Sequence, residues 1–400
     1  MRTIEIPYGE SHFSIRVPCE RFDVLSGRKP DPGDNRLTEI LHSREFRHYA
    51  DKKTLCIVND GTRPTRTRDV IDQGGLDCDY IVATGAHAAP TAEELAYIFG
   101  PEFRCKRIQI HDALKSPSSF LGDTARGTPV RFNKAVFRYQ RILIIGSVEP
   151  HWFAGFSGGR KGLLPGVSAF ETIEKNHYLS LSSEATSLKL HGNPVHEDMM
   201  EAVRLLDTPI LSLNLVIGND NDTVGAFCGT LEDSLSEAAK LASLCYSADV
   251  AQHADIVVAC APFPMDADLY QAQKALVNAS RACKVGGLIV LVAQCRNGIG
   301  PRAFYDLMTT HGTPEHILAY TKENYKLGYP KAASIAKILL RHQVSVISEL
   351  PSDQLLAIGL HTMTPVELET SITSVSDDGG TILYIPAASV TVPRTSTPTT

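Results

Sequence analysis

In "EPHWFAGFSGGRKGLLPG", residues 149–166, His151 stands ten residues before Lys161, and His177 follows sixteen residues after it. An imidazole moves protons near neutral pH, and an amine in a cleft has three uses: phosphate contact, a Schiff base, or another covalent tether to a cofactor. Gly158 and Gly159 precede "RK" directly. Glycines there bring backbone N–H groups close to a bulky charged ligand and accept backbone angles that other residues refuse.

Other polar residues fall just after apolar runs. "TLCIVND" delivers Asp60, with Arg63 close behind in "NDGTRPT"; "YIVATGAH" delivers His87; "RIQIHDA" delivers His111 and Asp112; "ILIIGSVEPH" delivers His151. In open α/β sheets ligands collect at the carboxyl ends of strands, so several such ends bearing His or Asp point to one polar cleft.

Each residue also has a plainer reading. Asp60 suits a turn cap, Arg63 a solvated or paired surface cation, and Lys161 a flexible surface lysine. His111 and Asp112 are neighbours on an extended strand and point to opposite faces, which favours structural roles. His191 and His196 flank Pro194, which reads as a helix start. A Walker A loop requires Ser or Thr after its lysine, where this chain has Gly162, and the dinucleotide pattern G-x-G-x-x-G fails in "GSVEPHWFAG". H-E-x-x-H and clustered cysteines are absent around these positions, so a metal caged by several side chains is not what the sequence offers, while one carried mainly by a cofactor is still allowed.

The elements that must position these groups are legible as short, almost continuously apolar runs between helical segments. They are "TLCIVN", "CDYIVATG", "KRIQI", "RILIIGS", "PILSLNLVIG", "ADIVVACA", "GLIVLVAQ", "VSVISEL" and "TILYIP". Runs of this kind form parallel strands covered on both faces, so the fold expected is α/β, with two doubly wound, mainly parallel sheets and an active site in the cleft between them. The expected division is an N-terminal domain over 1–250, a C-terminal domain over 251–385, and a tail over 386–400 that returns to the first domain and is mobile at its Pro/Thr-rich end. "TIEIPYGESHFSIRV" reads as a hairpin, "KPDPGDN" as a turn, and Thr91 with Glu94, like Ser168 with Glu171, as a capping box.

Composition narrows the class. A chain of 400 residues with 43% hydrophobic and 21% charged residues can bury two cores. Its formal charge of −6 and lack of a long basic block argue against a nucleic-acid partner. No signal peptide or membrane-length apolar run is evident, and the nine scattered cysteines suit a reduced, cytoplasmic protein.

"NDGTRPT", "TGAHAAPT", "EPHWFAGFSGGRKGLLPGVSAFETIEKNH" and "DLYQAQKAL", in this order, resemble the nickel-pincer lactate racemase family, whose members racemise or epimerise 2-hydroxy acids. The resemblance implies a pyridinium bis-thiocarboxylic acid mononucleotide carrying Ni(II), tethered as a thioamide to Lys161, with His177 as the metal's protein ligand. It implies acid/base roles for His87 and His151 on opposite sides of the substrate carbon, and reversible hydride transfer through a 2-keto acid. It places Asp60 and Arg63 along the cofactor and substrate site. Tyr270, Gln271 and Lys274 match substrate contacts, the last two toward carboxylate or carbonyl oxygen. Dedicated maturation enzymes would be partners, alongside the hydroxy acid itself.

One departure is Ala88, where many relatives carry a basic residue after the motif's histidine; it bears on which hydroxy acid is preferred. From the residues alone two rivals stand: pyridoxal-phosphate-type Schiff-base chemistry at Lys161, and a non-catalytic carrier that binds the cofactor.

Overall fold

The computed structural model describes residues 1–28, 35–61, 63–105, 107–218 and 221–395. It divides into two compact units, one made of the chain between 29 and 245, the other of residues 1–28 together with those from 246 onward.

The first unit is built on a six-stranded sheet ordered Thr223–Gly229, Ile210–Ile217, Arg141–Ser147, Thr54–Asn59, Asp79–Ala83, Ile108–Ile110. All its pairings are parallel except that of the edge strand Thr223–Gly229. The central strands are apolar at nearly every position because both faces are covered. Cys56, Val58, Leu143, Ile145, Leu213 and Leu215 face one core with Leu41, Val70 and Ile98. Leu55, Ile57, Ile142 and Ile144, on the opposite face, are equally buried. Chain order reverses between Thr54–Asn59 and Arg141–Ser147, and a ligand crevice opens at the carboxyl ends of two such strands. The side chains there stitch the ends together: Asn59 donates to Thr65 at 3.0 Å, and Thr65 to Ser147 at 2.9 Å.

In the second unit the sheet order is His361–Thr362, Gln343–Ile347, Cys283–Val292, Ala254–Cys260, Ile382–Ile385, Phe22–Val24, parallel throughout. One face packs Val257, Ala259, Ile289 and Leu291 against the Leu269–Ala279 and Tyr329–Leu339 helices. The other packs Val258, Val290 and Tyr384 against Ile6 and Ile15 of the N-terminal hairpin. Full burial of each of those isoleucines is worth about 1.5–3 kcal/mol.

That packing corrects the expected boundaries. Residues 1–28 belong with the C-terminal unit, because the hairpin needs the apolar sheet face and Phe22–Val24 pairs with Ile382–Ile385. The tail pairs Val392–Thr395 in parallel with Ser247–Val250, which were expected in the first domain but belong to this second unit. Residues 396–400, and all of "KPDPGDN" but Asn35, lie outside the described residues.

The capping box Thr91–Glu94 forms as expected. The one expected at Ser168 does not: the Ser168 hydroxyl donates to the Leu163 carbonyl at 2.8 Å, and the Phe170–Tyr178 helix starts from Ala169 with no side-chain cap.

Candidate active site

The glycine-rich loop leaves the Arg141–Ser147 strand at the reversal point of the first unit's sheet and folds back on itself through a short ladder, Pro150–His151 against Gly155–Phe156. Ser157 ties it down, accepting from the Glu149 amide and donating to the Ser147 carbonyl, both at 2.9 Å. Gly158 has φ +79, and a Cβ there would stand 2.4 Å from Val148 Cγ2 and 2.7 Å from Asn214 Oδ1. The N–H of Gly159 donates to Asn214 Oδ1 at 2.9 Å. A side chain at Gly158 would therefore collide with the loop's own sheet, whereas at Gly159 it is the positive φ of +49 that favours glycine.

Arg160 is fully buried beneath the loop and donates to the carbonyls of Ala154, Ser157 and Gly158 at 2.8, 3.0 and 3.3 Å. Burial pushes its guanidinium down to about 9. The side chain acts as an internal strut, replacing the backbone partners that a tight loop lacks.

With the loop fixed, three groups converge on the ring of Phe153. His151 packs edge-on at 4.5 Å between centroids, His177 at 5.0 Å, and the Lys161 ammonium lies 5.6 Å from the ring centre. Lys161 Nζ and His151 Nε2 are 3.3 Å apart, while His151 Nδ1 accepts the Ala154 N–H at 3.3 Å. The amine is thus held within reach of one imidazole by backbone and ring contacts.

His177 sits in the last turn of the Phe170–Tyr178 helix. Burial pushes its imidazole down to about 3, with Lys161 and His87 adding to the effect. Its Nδ1 is buried with no hydrogen-bond partner among the described residues; the Ile173 carbonyl one turn back favours the charged form weakly but misses hydrogen-bond geometry. A buried nitrogen left without a partner is costly, and a neutral imidazole is the form that ligates a metal. His177 is therefore equipped to give one lone pair to a metal. No group of three or more His, Cys, Asp or Glu stands ready to cage an ion among the described residues.

Across the reversal point, His87 Nδ1 lies 2.7 Å from Asp60 Oδ2, with Asp60 buried and His87 largely exposed. Arg63 pairs with Glu149, and both side chains are mostly buried. Arg63 is thus paired within the protein, with a partner that the sequence reading did not name.

His111 is structural: buried, it bonds the Ser168 carbonyl at 2.9 Å and Asn133 at 3.1 Å, and desolvation lowers its titration. Asp112 accepts the amides of Leu114 and Lys115, both at 3.0 Å, and so closes a turn. Pro194 opens a helix capped by Asn193, and His196, in its first turn, is pushed down to about 3 by burial and then by Arg160.

Tyr270, Gln271 and Lys274 lie in the second unit, in the first turns of the Leu269–Ala279 helix. This helix follows the Ala254–Cys260 strand, where that sheet's order also reverses. Asp268 caps it, accepting the Gln271 amide at 2.7 Å. A residue not picked out from sequence, Lys331, reaches the same turn and donates to the Tyr270 carbonyl at 2.8 Å. Nothing local to "YPKAAS" signals that role, because the contact is made by tertiary packing.

Comparison with known proteins bears on this arrangement. Residues 8–188 match the model of the lactate racemase N-terminal domain, and residues 250–391 that of the lactate racemase C-terminal domain. The lactate racemase of Lactiplantibacillus plantarum is 30% identical over 395 residues, covering 89% of this chain and 91% of that protein. The chain belongs to the lactate racemase family.

It is accordingly an isomerase of the racemase type. The lactate racemase of Thermoanaerobacterium thermosaccharolyticum is 28% identical over 386 residues, covering 87% of this chain and 88% of that protein. The structure of the lactate racemase apoprotein from the same organism superposes with a TM-score of 0.89 at 26% identity, covering 98% of this chain and 100% of that one. A structural-genomics protein from Thermotoga maritima shares the fold, with a TM-score of 0.72 at 16% identity over 93% of this chain and 100% of that one. No helix among the described residues is long and apolar enough to cross a membrane.

Proposed function

We propose that this lactate racemase family member inverts C2 of a 2-hydroxy acid with a nickel-pincer nucleotide tethered at Lys161. The observation that carries the reading is the convergence of Lys161, His151 and His177 on Phe153, with the partnerless Nδ1 of His177 at one corner. These residues fit such a group. Lys161 offers the amine for a thioamide, and His177 offers one neutral nitrogen, enough where the other donors belong to the cofactor. When bound, the group supplies a hydride acceptor and a Lewis-acidic metal.

The chain's own residues then bind, orient and move protons. A carboxylate is acceptor-only, so Asp60 fixes the His87 proton on Nδ1 and leaves Nε2 as the basic nitrogen toward a substrate hydroxyl. His151 serves the opposite enantiomer. Arg63, Gln271 and Lys274 hold the substrate's carboxylate and carbonyl oxygens, for which a cation fork and a point charge are suited. The partners on this reading are the hydroxy acid and the enzymes that build and load the nucleotide. The location is cytoplasmic, in keeping with the eight cysteines whose side chains are described, each of them free.

The test is intact-mass and metal analysis of protein produced together with those maturation enzymes. Added mass on the peptide holding Lys161, with nickel in equal amount, is expected. C2-deuterated lactate should keep its label in the inverted product. Unmodified Lys161 in a preparation that racemises lactate, or full exchange of the label with solvent, overturns the reading.

A further inference from the structure

The Tyr329–Leu339 helix opens at Gly328, and its third residue, Lys331, turns inward. Its Nζ donates to the Tyr270 carbonyl at 2.8 Å and lies 3.5 Å from the centre of the Tyr270 ring. The same ring is boxed in elsewhere. Phe304 packs edge-on at 5.4 Å between centroids, and any Cβ on Gly300 would stand 2.5 Å from Tyr270 Cβ. The turn is also stitched to the loop beyond Cys283–Val292, since Leu269 and Tyr270 donate their amides to Gly298 and Ile299 at 3.2 and 3.0 Å.

Burial, and then the nearby Lys274, hold the Lys331 amine well below the usual lysine range. A solvated lysine avoids that penalty. Here the amine bonds the carbonyl of the turn that carries the substrate contacts.

We propose that Lys331 is a positioning residue: it locks the Tyr270 ring and the first turn of the Leu269–Ala279 helix, so that Gln271 and Lys274 are presented to a substrate carboxylate in one fixed geometry. This rests on the reading of Gln271 and Lys274 as substrate contacts. The role differs from general stabilisation, because the side chain acts on a single turn and a single ring.

Two measurements on the full chain test it. Hydrogen exchange of the unloaded protein is read on peptides spanning 268–276. Lys331→Met should speed exchange there at least threefold and leave the Arg141–Ser147 strand unchanged, while Lys331→Arg stays near wild type. In the loaded enzyme with lactate, Lys331→Met should raise KM about tenfold with kcat within twofold, and Lys331→Arg should recover most of the loss. Combined with Tyr270→Ala, Lys331→Met should add almost nothing, as expected of residues acting as one unit. Unchanged exchange in 268–276 sinks the proposal whether or not the enzyme turns over, as do additive effects of the two substitutions. Loss of all turnover by the loaded wild type would instead overturn the proposed function, leaving the exchange result to decide on Lys331.

Discussion

Asp60 Oδ2 and His87 Nδ1 face each other at 2.7 Å across the ends of two adjacent strands, the carboxylate buried and the imidazole reaching outward. The carboxylate orients the imidazole without sequestering it, since the histidine is well exposed and its other nitrogen points away from the partner.

Replacing the carboxylate should therefore damage turnover more than folding. Asp60→Asn is expected to lower kcat by about 10²-fold or more, the usual worth of a positioned acid or base. Its melting temperature should stay within a few degrees of wild type. Steady-state racemisation measured in both directions is the check; a loss below threefold would remove His87 from the proton-transfer role.

The pairing of Arg63 with Glu149 leads to a second expectation. Glu149→Gln removes the internal competitor, so an Arg63 that grips substrate should bind carboxylate more tightly and KM should fall severalfold. A drop in stability with KM unchanged would instead assign Arg63 to holding the loop.

Acid should weaken the fold through two half-buried imidazoles. His177 and His196 each titrate at about 3 in the folded protein, against 6.5 as the ordinary value. Between these limits the unfolded chain carries the extra protons, so stability is fullest above pH 6.5 and falls as pH drops toward 3. From pH 6.5 to 5 each group accounts for about 2 kcal/mol. Urea unfolding of the unloaded protein across this range should show a shallower pH slope for His196→Gln, about half the wild-type dependence if these two groups dominate it.

Gly158→Ala is the substitution expected to injure the loop most directly. At φ +79, with Val148 and Asn214 in the space a Cβ would take, alanine is strained and crowded together. A loss of about 2 kcal/mol or more follows. Chemical denaturation measures it, and a neutral result would mean that the loop relaxes away from its sheet.

Much of the fold was legible because the signal is local. Thr54–Asn59, Arg141–Ser147 and Ala254–Cys260 are written as apolar runs, since a parallel strand covered on both faces has few polar positions. Part of the candidate site was legible for the same reason, since Asp60, His87 and His151 follow the ends of such runs. What sequence could not supply was partnership at a distance. Glu149 as the mate of Arg63, Lys331 beneath Tyr270, and Ser168 bonding Leu163 in place of a cap all depend on which surfaces meet after folding. The placement of residues 1–28 failed similarly, because a hairpin carries no local sign of the sheet that will cover it.

Phe22 is aligned with Ile382, a separation of 382 − 22 = 360 residues. A ribosome making this chain therefore releases the first edge strand long before its neighbour exists, and the whole segment 35–245 is synthesised in the interval. The unit that bears Lys161 can mature during translation, whereas the other stays open until elongation is nearly complete. Loop closure over such a span is slow, so the C-terminal unit should set the pace of refolding from denaturant.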